Sequence, residues 1–330
     1  MEKLKFFRIF LVLVLSAINT LAIADTHISW GNWVKQLRQE ALSEGIRPDL
    51  LDHIFFHMKP STQHIQLDRN QPEKRISYQQ YRNTRGDAYR IKIGQKEFQK
   101  HHQLLQQIGQ DLGVDPCVIT ALWGLESSYG RVMGNFNVIQ SLATLSFDHR
   151  RSNFFRKQLL LALHMVNDGI IPYEDFKGEW AGASGQTQFL PSSWYLYAVD
   201  YDHNGKKDIW NSYPDIFASI ANYLKQNGWI YKQLILVPVD LASTFDQHLI
   251  GLDTVKTVQE WLNLGVRPNT NHYIAQKAPA SIVAPDGGPT WMVLNNFNTL
   301  MKWNHSIYYA GTVAFVAQKI CSVNSSSRAK

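Results

Sequence analysis

Residues 115–130 read DPCVITALWGLESSYG, and this stretch decides the fold of the chain. Asp115-Pro116 is a typical helix start, because a proline in the first turn lacks only an N–H that would have no helical partner there. Four apolar residues then recur at the i, i+3, i+4, i+7 spacing of one helix face, namely Val118, Ala121, Leu122 and Leu125. Gly130 ends the pattern. The stretch therefore predicts a helix with a buried face.

Glu126 shares the apolar side of this helix, since it lies four residues after Leu122 and seven after Ile119. A glutamate there either points from the edge of the stripe into solvent or lies in a partly dry site. Glutamates at the edge of an apolar stripe are common, so the pattern alone favours the first alternative. In a dry site the pKa of the carboxyl group would rise, as a general acid requires near neutral pH.

A second stretch, residues 182–193, reads GASGQTQFLPSS. Its small residues allow the backbone to approach another group closely, and its glutamine side chains suit hydrogen bonds to ligand amides or hydroxyls. Pro191-Ser192-Ser193 leads into a further helix. We interpret the stretch as a loop whose glutamines could orient a ligand.

The remaining chain predicts an α+β fold that is mainly α-helical. Residues 61–94 are polar and basic with little periodicity, which indicates an extended surface segment. Residues 232–290 alternate short apolar runs with proline and glycine, which is typical of a small strand-containing insert. We assign residues 25–321 to one folded region and expect a disordered, serine-rich tail at 322–330.

Residues 1–24 have the pattern of a secretory signal peptide. Three basic residues precede the apolar run Ile9–Leu15, and Ala22-Ile23-Ala24 is a typical cleavage site. We expect export to the periplasm, cleavage after Ala24, and a soluble rather than lipid-anchored product. The alternative is an uncleaved N-terminal anchor.

Composition and charge exclude some classes of function. The chain has 330 residues, 45% hydrophobic and 18% charged, as in ordinary globular proteins. Its formal charge is +6, without a dense Lys/Arg stripe, which argues against nucleic-acid binding. Aromatic residues reach 12% and serve either as core or as a groove for ring-shaped ligands.

Cys117 and Cys321 either pair in an oxidising compartment or stay separate thiols, and the sequence leaves both open.

Four segments together resemble the lytic murein transglycosylase B family, whose members cleave the glycan strands of peptidoglycan. They are ALWGLESSYG (121–130), LATLSF (142–147), GASGQTQFLPSSW (182–194) and ANYL (221–224). The resemblance covers roughly residues 28–320 and rests on order and spacing as well as on content. It implies a lysozyme-like catalytic core with an α domain and a small β insert.

The resemblance implies a role for individual residues. Glu126 would be the single acid/base that cleaves the bond between N-acetylmuramic acid and N-acetylglucosamine, leaving a 1,6-anhydro end. The substrate-binding residues it implies are Gln188, Tyr223, Arg151, Tyr81, Trp303, Asn304 and Tyr309. Trp303 departs from the family, in which a tyrosine is expected. A stacking role survives that change, whereas a phenolic hydrogen bond does not.

The segment DYDHNGKKDIWN (200–211) follows the D-x-D-x-N-G pattern of a calcium loop. Its twelfth residue is Asn211 instead of the usual glutamate, so either an Asx-rich turn or a modified calcium site is compatible with it. The family resemblance implies a longer loop closed by a later acid. The ligands would then be Asp200, Asp202, Asn204, the carbonyl of Lys206, and Asp215.

We expect no cofactor for the chemistry, and calcium only in a structural role. The expected partner is the glycan strand of peptidoglycan, with no nucleic acid, a monomeric state, and at most transient contacts with other cell-wall enzymes.

Two alternatives to the transglycosylase function remain. A lysozyme-type muramidase would need a second carboxylate, for which Asp148, Asp168 and Glu179 are candidates. A non-catalytic peptidoglycan-binding protein would not need Glu126. Serine and zinc hydrolases are disfavoured because G-x-S-x-G fails at Gln186 and H-E-x-x-H is absent.

Overall fold

The computed structural model describes residues 28–69, 76–148 and 152–327. Its helices are α1 (Trp30–Ser43), α2 (Pro48–Phe55), α3 (Thr62–Arg69), α4 (Tyr78–Arg85), α5 (Ala88–Lys100), α6 (His102–Leu112), α7 (Pro116–Ser127), α8 (Val138–Phe147), α9 (Ser152–Asn167), α10 (Pro191–Tyr197), α11 (Tyr213–Gln226), α12 (Val258–Asn263), α13 (Asn295–Trp303) and α14 (Ile307–Ser327). Its strands are β1 (Phe136–Asn137), β2 (Lys177–Gly178), β3 (Leu236–Leu241), β4 (Gly251–Thr257), β5 (Val266–Pro268), β6 (Pro279–Val283) and β7 (Trp291–Val293). The prediction of a mainly helical α+β fold is confirmed.

Helix α7 is the centre of the first hydrophobic core. The Asp115 carboxylate caps its start by accepting the N–H of Cys117, and Pro116 occupies the first turn. Every residue from Cys117 to Gly124 is buried. Helices α5, α6, α11 and α14 pack around it. Because its surroundings are apolar on all sides, the predicted one-sided stripe understates how deeply this helix is buried.

Cys117 and Cys321 form a disulfide with their Cα atoms 5.8 Å apart. The bond ties the start of α7 to the end region of α14, which settles the alternative that the sequence left open. The same helix corrects a second expectation: α14 continues to Ser327, so the tail predicted to be disordered from residue 322 is helical over its first six residues.

A second core lies among α1, α2, α8 and α9, with Leu37, Leu142 and Phe155 almost fully buried. Two partly buried aromatic residues, Tyr223 and Trp303, pack against both cores. The seam between the two cores therefore runs through these two rings.

The predicted insert forms an antiparallel five-stranded sheet with the order β4-β6-β7-β3-β5. Trp261 lies fully buried beneath it, and its indole N–H donates to the carbonyl of Ala280 at 2.9 Å. The sheet extends to Val293, and helix α13 starts two residues later. The sheet thus sets the position at which α13 begins.

Most described residues of 61–94 are helical, as parts of α3, α4 and α5, so the expectation of an extended segment is wrong. Ser77 and Gln80 form a capping box at the start of α4, and Asp87 caps α5. Tyr78 and Tyr81 bury one face of α4. Two rings at an i, i+3 spacing stabilise a helix that otherwise carries almost only polar residues. Within the described ranges, no helix is both long and apolar enough to span a membrane.

Candidate active site

The backbone turns sharply directly after Glu126. Helix α7 ends at Ser127, and Ser128, Tyr129 and Gly130 follow with φ angles of 50°, 62° and 78°. Ser127 stabilises the turn, because its hydroxyl donates to the Trp123 carbonyl and accepts the N–H of Gly130. Left-handed backbone at two non-glycine residues is costly and is often found at functional sites.

The glycines of the WGLESSYG segment make room for neighbouring side chains. A methyl group at Gly124 would overlap the ring of Tyr129, which folds back over the helix. A methyl group at Gly130 would overlap the side-chain amide of Gln186. The two glycines therefore allow the turn and the 182–193 loop to pack directly against the end of α7.

Gln186 joins the two stretches that the sequence singled out. Its Oε1 accepts the indole N–H of Trp123 at 2.7 Å, and its Nε2 donates to the carbonyl of Trp210 at 2.8 Å. The side chain is 7% exposed. The sequence interpretation chose Gln188 and missed Gln186. The only available signal was the buried Trp123, whose N–H requires an acceptor.

The carboxyl group of Glu126 is held through one of its two oxygens. Oε1 accepts the indole N–H of Trp303 at 2.7 Å and also the hydroxyl of Tyr309. No other described residue donates a hydrogen bond to the carboxyl, so Oε2 is left without a protein partner in the part of the chain described. With two donors on Oε1, a proton on the neutral acid belongs on Oε2.

Burial raises the pKa of Glu126 above its ordinary value, because it removes water from the charged form. The hydrogen bonds from Tyr309 and Trp303 and the charge of Arg85 act in the opposite direction, while the charge of Glu179 raises the pKa further. Burial also raises the pKa of Tyr309, and the neighbouring Glu126 adds to this, so Tyr309 remains a neutral donor. The expectation of a partly dry carboxyl group is the alternative that the geometry supports.

Aromatic rings surround the Trp303 indole that donates to Glu126. Tyr223 lies edge-on to it at 4.6 Å between ring centroids, and Phe189 lies at 5.5 Å. The hydroxyl of Tyr223 donates to the carbonyl of Lys302 at 2.7 Å, which fixes the end of α13. Tyr223 therefore reaches Glu126 through Trp303. The phenolic hydrogen bond expected to be lost at position 303 is replaced by an indole N–H.

The other four predicted site residues differ in how they relate to Glu126. Gln188 has a left-handed φ of 51°, and its amide donates to the carbonyls of Gly185 and Met133, so it holds its own loop together. Tyr81 is buried on α4, and its ring lies 5.8 Å from that of Tyr308, the neighbour of Tyr309 in the chain. Asn304 is the C-cap residue of α13, next to Trp303. Arg151 lies outside the described residues.

The charges of Arg85 and Glu179 both act on Glu126. Arg85, at the end of α4, was not singled out from the sequence, because nothing local distinguishes it from other exposed arginines. Glu179, one of the candidate second carboxylates, is close enough for its charge to act on Glu126. Asp168, another candidate, acts on Tyr195 instead.

The acidic loop folds around a common centre. One carboxylate oxygen from each of Asp200, Asp202 and Asp215 lies within 4.8 Å of the others. Asp215 is fully buried, and its two oxygens accept the N–H groups of Tyr201 at 2.8 Å and Asp208 at 2.9 Å. Burial raises the pKa of Asp215, and the charge of Asp202 contributes to this. Asn204 and Lys206 lie in the turn between these acids.

Comparison with known proteins gives a consistent picture. The model of the transglycosylase SLT domain family matches residues 29–318. Membrane-bound lytic murein transglycosylase B of Escherichia coli (strain K12) is 28% identical over 306 residues, covering 92% of this chain and 82% of that protein. The structure of SltB3 from Pseudomonas aeruginosa in complex with NAG-anhNAM-pentapeptide superposes with a TM-score of 0.83 at 39% identity, over 88% of this chain and 79% of the other.

A further structure, Escherichia coli lytic transglycosylase Slt35 in complex with calcium, matches with a TM-score of 0.78 at 28% identity, over 88% of this chain and 93% of the other. Like these relatives, the protein has a lysozyme-like fold and is an enzyme that cleaves peptidoglycan. The four-segment resemblance is therefore confirmed, and the chain belongs to the transglycosylase SLT domain family as a lytic transglycosylase of the type of membrane-bound lytic murein transglycosylase B and SltB3.

Proposed function

We propose that the enzyme cleaves the β-1,4 bond between N-acetylmuramic acid and N-acetylglucosamine with Glu126 as its single acid/base, and that it leaves a 1,6-anhydro-N-acetylmuramic end. The observation that carries this proposal is the state of the Glu126 carboxyl: its pKa is raised, Oε1 is held by two donors, and Oε2 has no described partner. The SltB3 complex with NAG-anhNAM-pentapeptide supports the same product.

In this proposal both proton transfers use the same oxygen, Oε2. Neutral Glu126 gives the proton on Oε2 to the glycosidic oxygen as the bond from C1 of the muramic sugar to that oxygen breaks. The resulting carboxylate then takes the proton of the C6 hydroxyl as O6 bonds to C1, so no water is consumed. Most glycosidases use two carboxylates. Here the N-acetyl group of the substrate would stabilise the charge at C1.

The residues around Glu126 would bind the glycan strand. Trp303 and Tyr223 present ring faces and edges at the seam of the two cores, where sugar rings pack well. Gln188 keeps its Oε1 available for a substrate N–H, since its side-chain hydrogen bonds to the described residues use only Nε2. Asn304 directly follows Trp303 in the chain, and Tyr81 lies against Tyr308, which precedes Tyr309. Arg151 is proposed, from the family resemblance, to meet lactyl or peptide carboxylates.

Product analysis tests the reaction. Purified sacculi digested with the enzyme should yield muropeptides lighter by one water than those from a muramidase, because the anhydro ring forms without hydrolysis. Mass spectrometry of both digests, run in parallel, measures this. Reducing ends as the main product would instead support the muramidase alternative, which the proximity of Glu179 to Glu126 favours.

Replacement of Trp303 by Phe tests the donor. A hydrogen bond to a charged group contributes about 1.5–3 kcal/mol, so we expect kcat to fall about tenfold or more. Losing a donor that stabilises the ionised form raises the pKa of Glu126. Because the active form is protonated, the alkaline limb of the pH–rate profile should move to higher pH.

Trp303→Tyr is the matched control for this variant, since a phenol can donate where phenylalanine cannot. We expect it to recover much of kcat and to bring the alkaline limb back towards its wild-type position. An unchanged pH profile in Trp303→Phe would show that the indole N–H does not influence the acid.

The acidic loop fits a calcium ion. Asp200, Asp202, Asn204, the carbonyl of Lys206, and Asp215 would hold it, and hard oxygen ligands with three carboxylates favour calcium over magnesium. When bound, the ion would neutralise the mutual repulsion of these acids and fix the loop that carries the Trp210 carbonyl, the acceptor of Gln186. Its role is structural, and no cofactor is needed for the chemistry.

Thermal unfolding measures calcium binding. At a calcium concentration of about 100 Kd the ion would add about 2.7 kcal/mol, which corresponds to a rise in Tm of about 5 °C for a domain of this size. Magnesium at the same concentration should give a clearly smaller shift, and Asp202→Asn should reduce the calcium shift. Equal shifts with both ions would contradict a dedicated site.

We further propose that the protein is exported to the periplasm and cleaved after Ala24. The Cys117–Cys321 disulfide supports an oxidising compartment. Its substrate there would be the glycan strand, with the enzyme acting as a soluble monomer.

A further inference from the structure

A cavity of about 520 Å³ lies away from Glu126. Its walls are one face of α14, the segment 229–238 that follows α11 and includes the start of β3, and the loop 269–272 that follows β5. The disulfide between Cys117 and Cys321 lies in its lining. We call it the α14 cavity. Its volume falls within the range of about 300–1,000 Å³ that is typical of small-ligand sites.

Helix α14 separates this cavity from the active site. Gly311, Ala314, Phe315 and Gln318 line the cavity and recur at the three- and four-residue spacing of one helix face. Tyr309, which donates to Glu126, lies on the opposite side of the helix. Neither Glu126 nor Trp303 lines the cavity. A ligand bound there would therefore not contact the acid.

The charges in the lining are mostly positive. Arg82 and Lys232 contribute to it, against the single carboxylate of Asp115. One oxygen of Asp115 is already engaged by the N–H of Cys117. In the described part of the chain, no carboxylate forms an ion pair with Arg82 or Lys232. The cavity therefore offers two cations for which the described residues supply no counter-ion.

Among the residues of the lining, Arg82 gives the strongest indication of an anionic ligand. Its guanidinium lies over the ring of Phe315 at 4.9 Å, and its buried Nε has no hydrogen-bond partner among the described residues. One terminal nitrogen donates only to the adjacent Asn83. A buried donor without a partner is unusual and costly, and an arginine fixed on a ring is well placed to receive a carboxylate.

The remaining lining combines aromatic walls with amide and hydroxyl groups. Trp229, Trp291 and Phe315 provide apolar surface, while Asn269 and Thr270 provide hydrogen-bonding groups at the rim. Carboxylates, backbone amides and small apolar side chains occur together in a short acidic peptide. A bare inorganic anion would leave the aromatic walls without contacts.

We propose that the α14 cavity is a second binding site that takes a short acidic peptide of the peptidoglycan stem, remote from the acid that cleaves the glycan. The identity of the source rests on the proposed function, whereas the binding of acidic peptide does not. Arg82 and Lys232 would bind the carboxylates, and the aromatic walls would cover the apolar side chains.

Calorimetric titration tests the binding. The probe is the synthetic peptide Ala-Glu-Ala-Glu-Ala with a free C-terminus, and the control peptide is Ala-Gln-Ala-Gln-Ala with an amidated one. We expect a Kd for the acidic probe below about 1 mM that weakens with added salt, and no measurable binding of the neutral peptide. Equal binding of both peptides, or none of either, would overturn the proposal.

Variants locate the site. Arg82→Gln should weaken binding of the acidic probe about tenfold, because it removes a fixed, charge-assisted contact. Lys232→Gln, at an exposed position where folding is not at risk, should weaken it about threefold. Lys225→Gln on α11 removes the same charge outside the cavity and should have no effect. If Lys225→Gln weakened binding as much as Lys232→Gln, only general electrostatic attraction would remain.

Two further experiments distinguish this binding site from the proposed active site at Glu126. Glu126→Gln should bind the acidic probe as the wild type does, and a loss of binding there would place the peptide in the active site and overturn the inference. On sacculi, Lys232→Gln should raise KM about threefold without changing kcat, and on glycan strands freed of their peptides it should match the wild type. An unchanged KM on sacculi would overturn the assignment to stem peptides.

Discussion

Glu126→Gln is expected to reduce the release of muropeptides from sacculi by at least about a thousandfold, because one group serves both proton transfers. The amide oxygen of glutamine can still accept from Trp303 and Tyr309, so the site should keep its arrangement. Since the wild-type pKa is raised by burial, ionised Glu126 costs stability at high pH. The variant should therefore unfold at a temperature equal to or above that of the wild type at pH 8.

Glu179→Gln is the matched control, because it neutralises the other acid that acts on Glu126. The charge of Glu179 raises the pKa of Glu126, so its removal should lower that pKa and move the alkaline limb of the pH–rate profile to lower pH. Turnover at acidic pH should remain near the wild-type value. If Glu179→Gln were as inactive as Glu126→Gln, a two-carboxylate hydrolase would be the better mechanism. If Glu126→Gln stayed active, Glu126 would lose its assigned role.

Removal of the disulfide should have the largest effect on stability. Cys117 and Cys321 are separated by 204 residues, and closing so long a loop restricts the unfolded chain by about 5 kcal/mol in the chain-entropy model, of which about 2–5 kcal/mol is usually measured. The suitable variant is Cys117→Ala with Cys321→Ser, because Cys117 is 3% exposed and a buried hydroxyl would add its own cost. We expect the free energy of unfolding to fall by about 3 kcal/mol.

Denaturant unfolding with and without reductant measures this effect. Reductant should destabilise the wild type by a similar amount and leave the double variant unchanged. The kcat at 25 °C should stay close to that of the wild type, because α7 and α14 remain packed through apolar contacts. A wild type that is insensitive to reductant would show that the bond does not restrict the unfolded chain.

The helix of Glu126 could be predicted because its signals are local. Proline, the apolar spacing and the closing glycine all lie within 115–130, and the structure has α7 at Pro116–Ser127. Helix α4 was missed because its apolar face consists of only Tyr78 and Tyr81, although the Ser77–Gln80 capping box was visible. Short helices with few buried residues give a weak periodic signal.

The site itself was predictable only in part, because its contacts join distant segments. Trp303 and Tyr309 reach Glu126 across 177 and 183 residues. A departure from tyrosine at position 303 suggested a lost hydrogen bond, yet the indole keeps a donor. Gln186 was passed over for Gln188, since both look alike within a small-residue loop until the position of Trp123 is known.

Both donors to Glu126 come from one short connection. Trp303 is the last residue of α13, Tyr309 is in the first turn of α14, and only residues 304–306 lie between the two helices. One residue more or less in that link would shift the start of α14, and with it Tyr309, relative to Trp303. The link therefore tolerates exchange of its residues far better than insertion or deletion, because its length sets the spacing of the two donors around the Glu126 carboxyl.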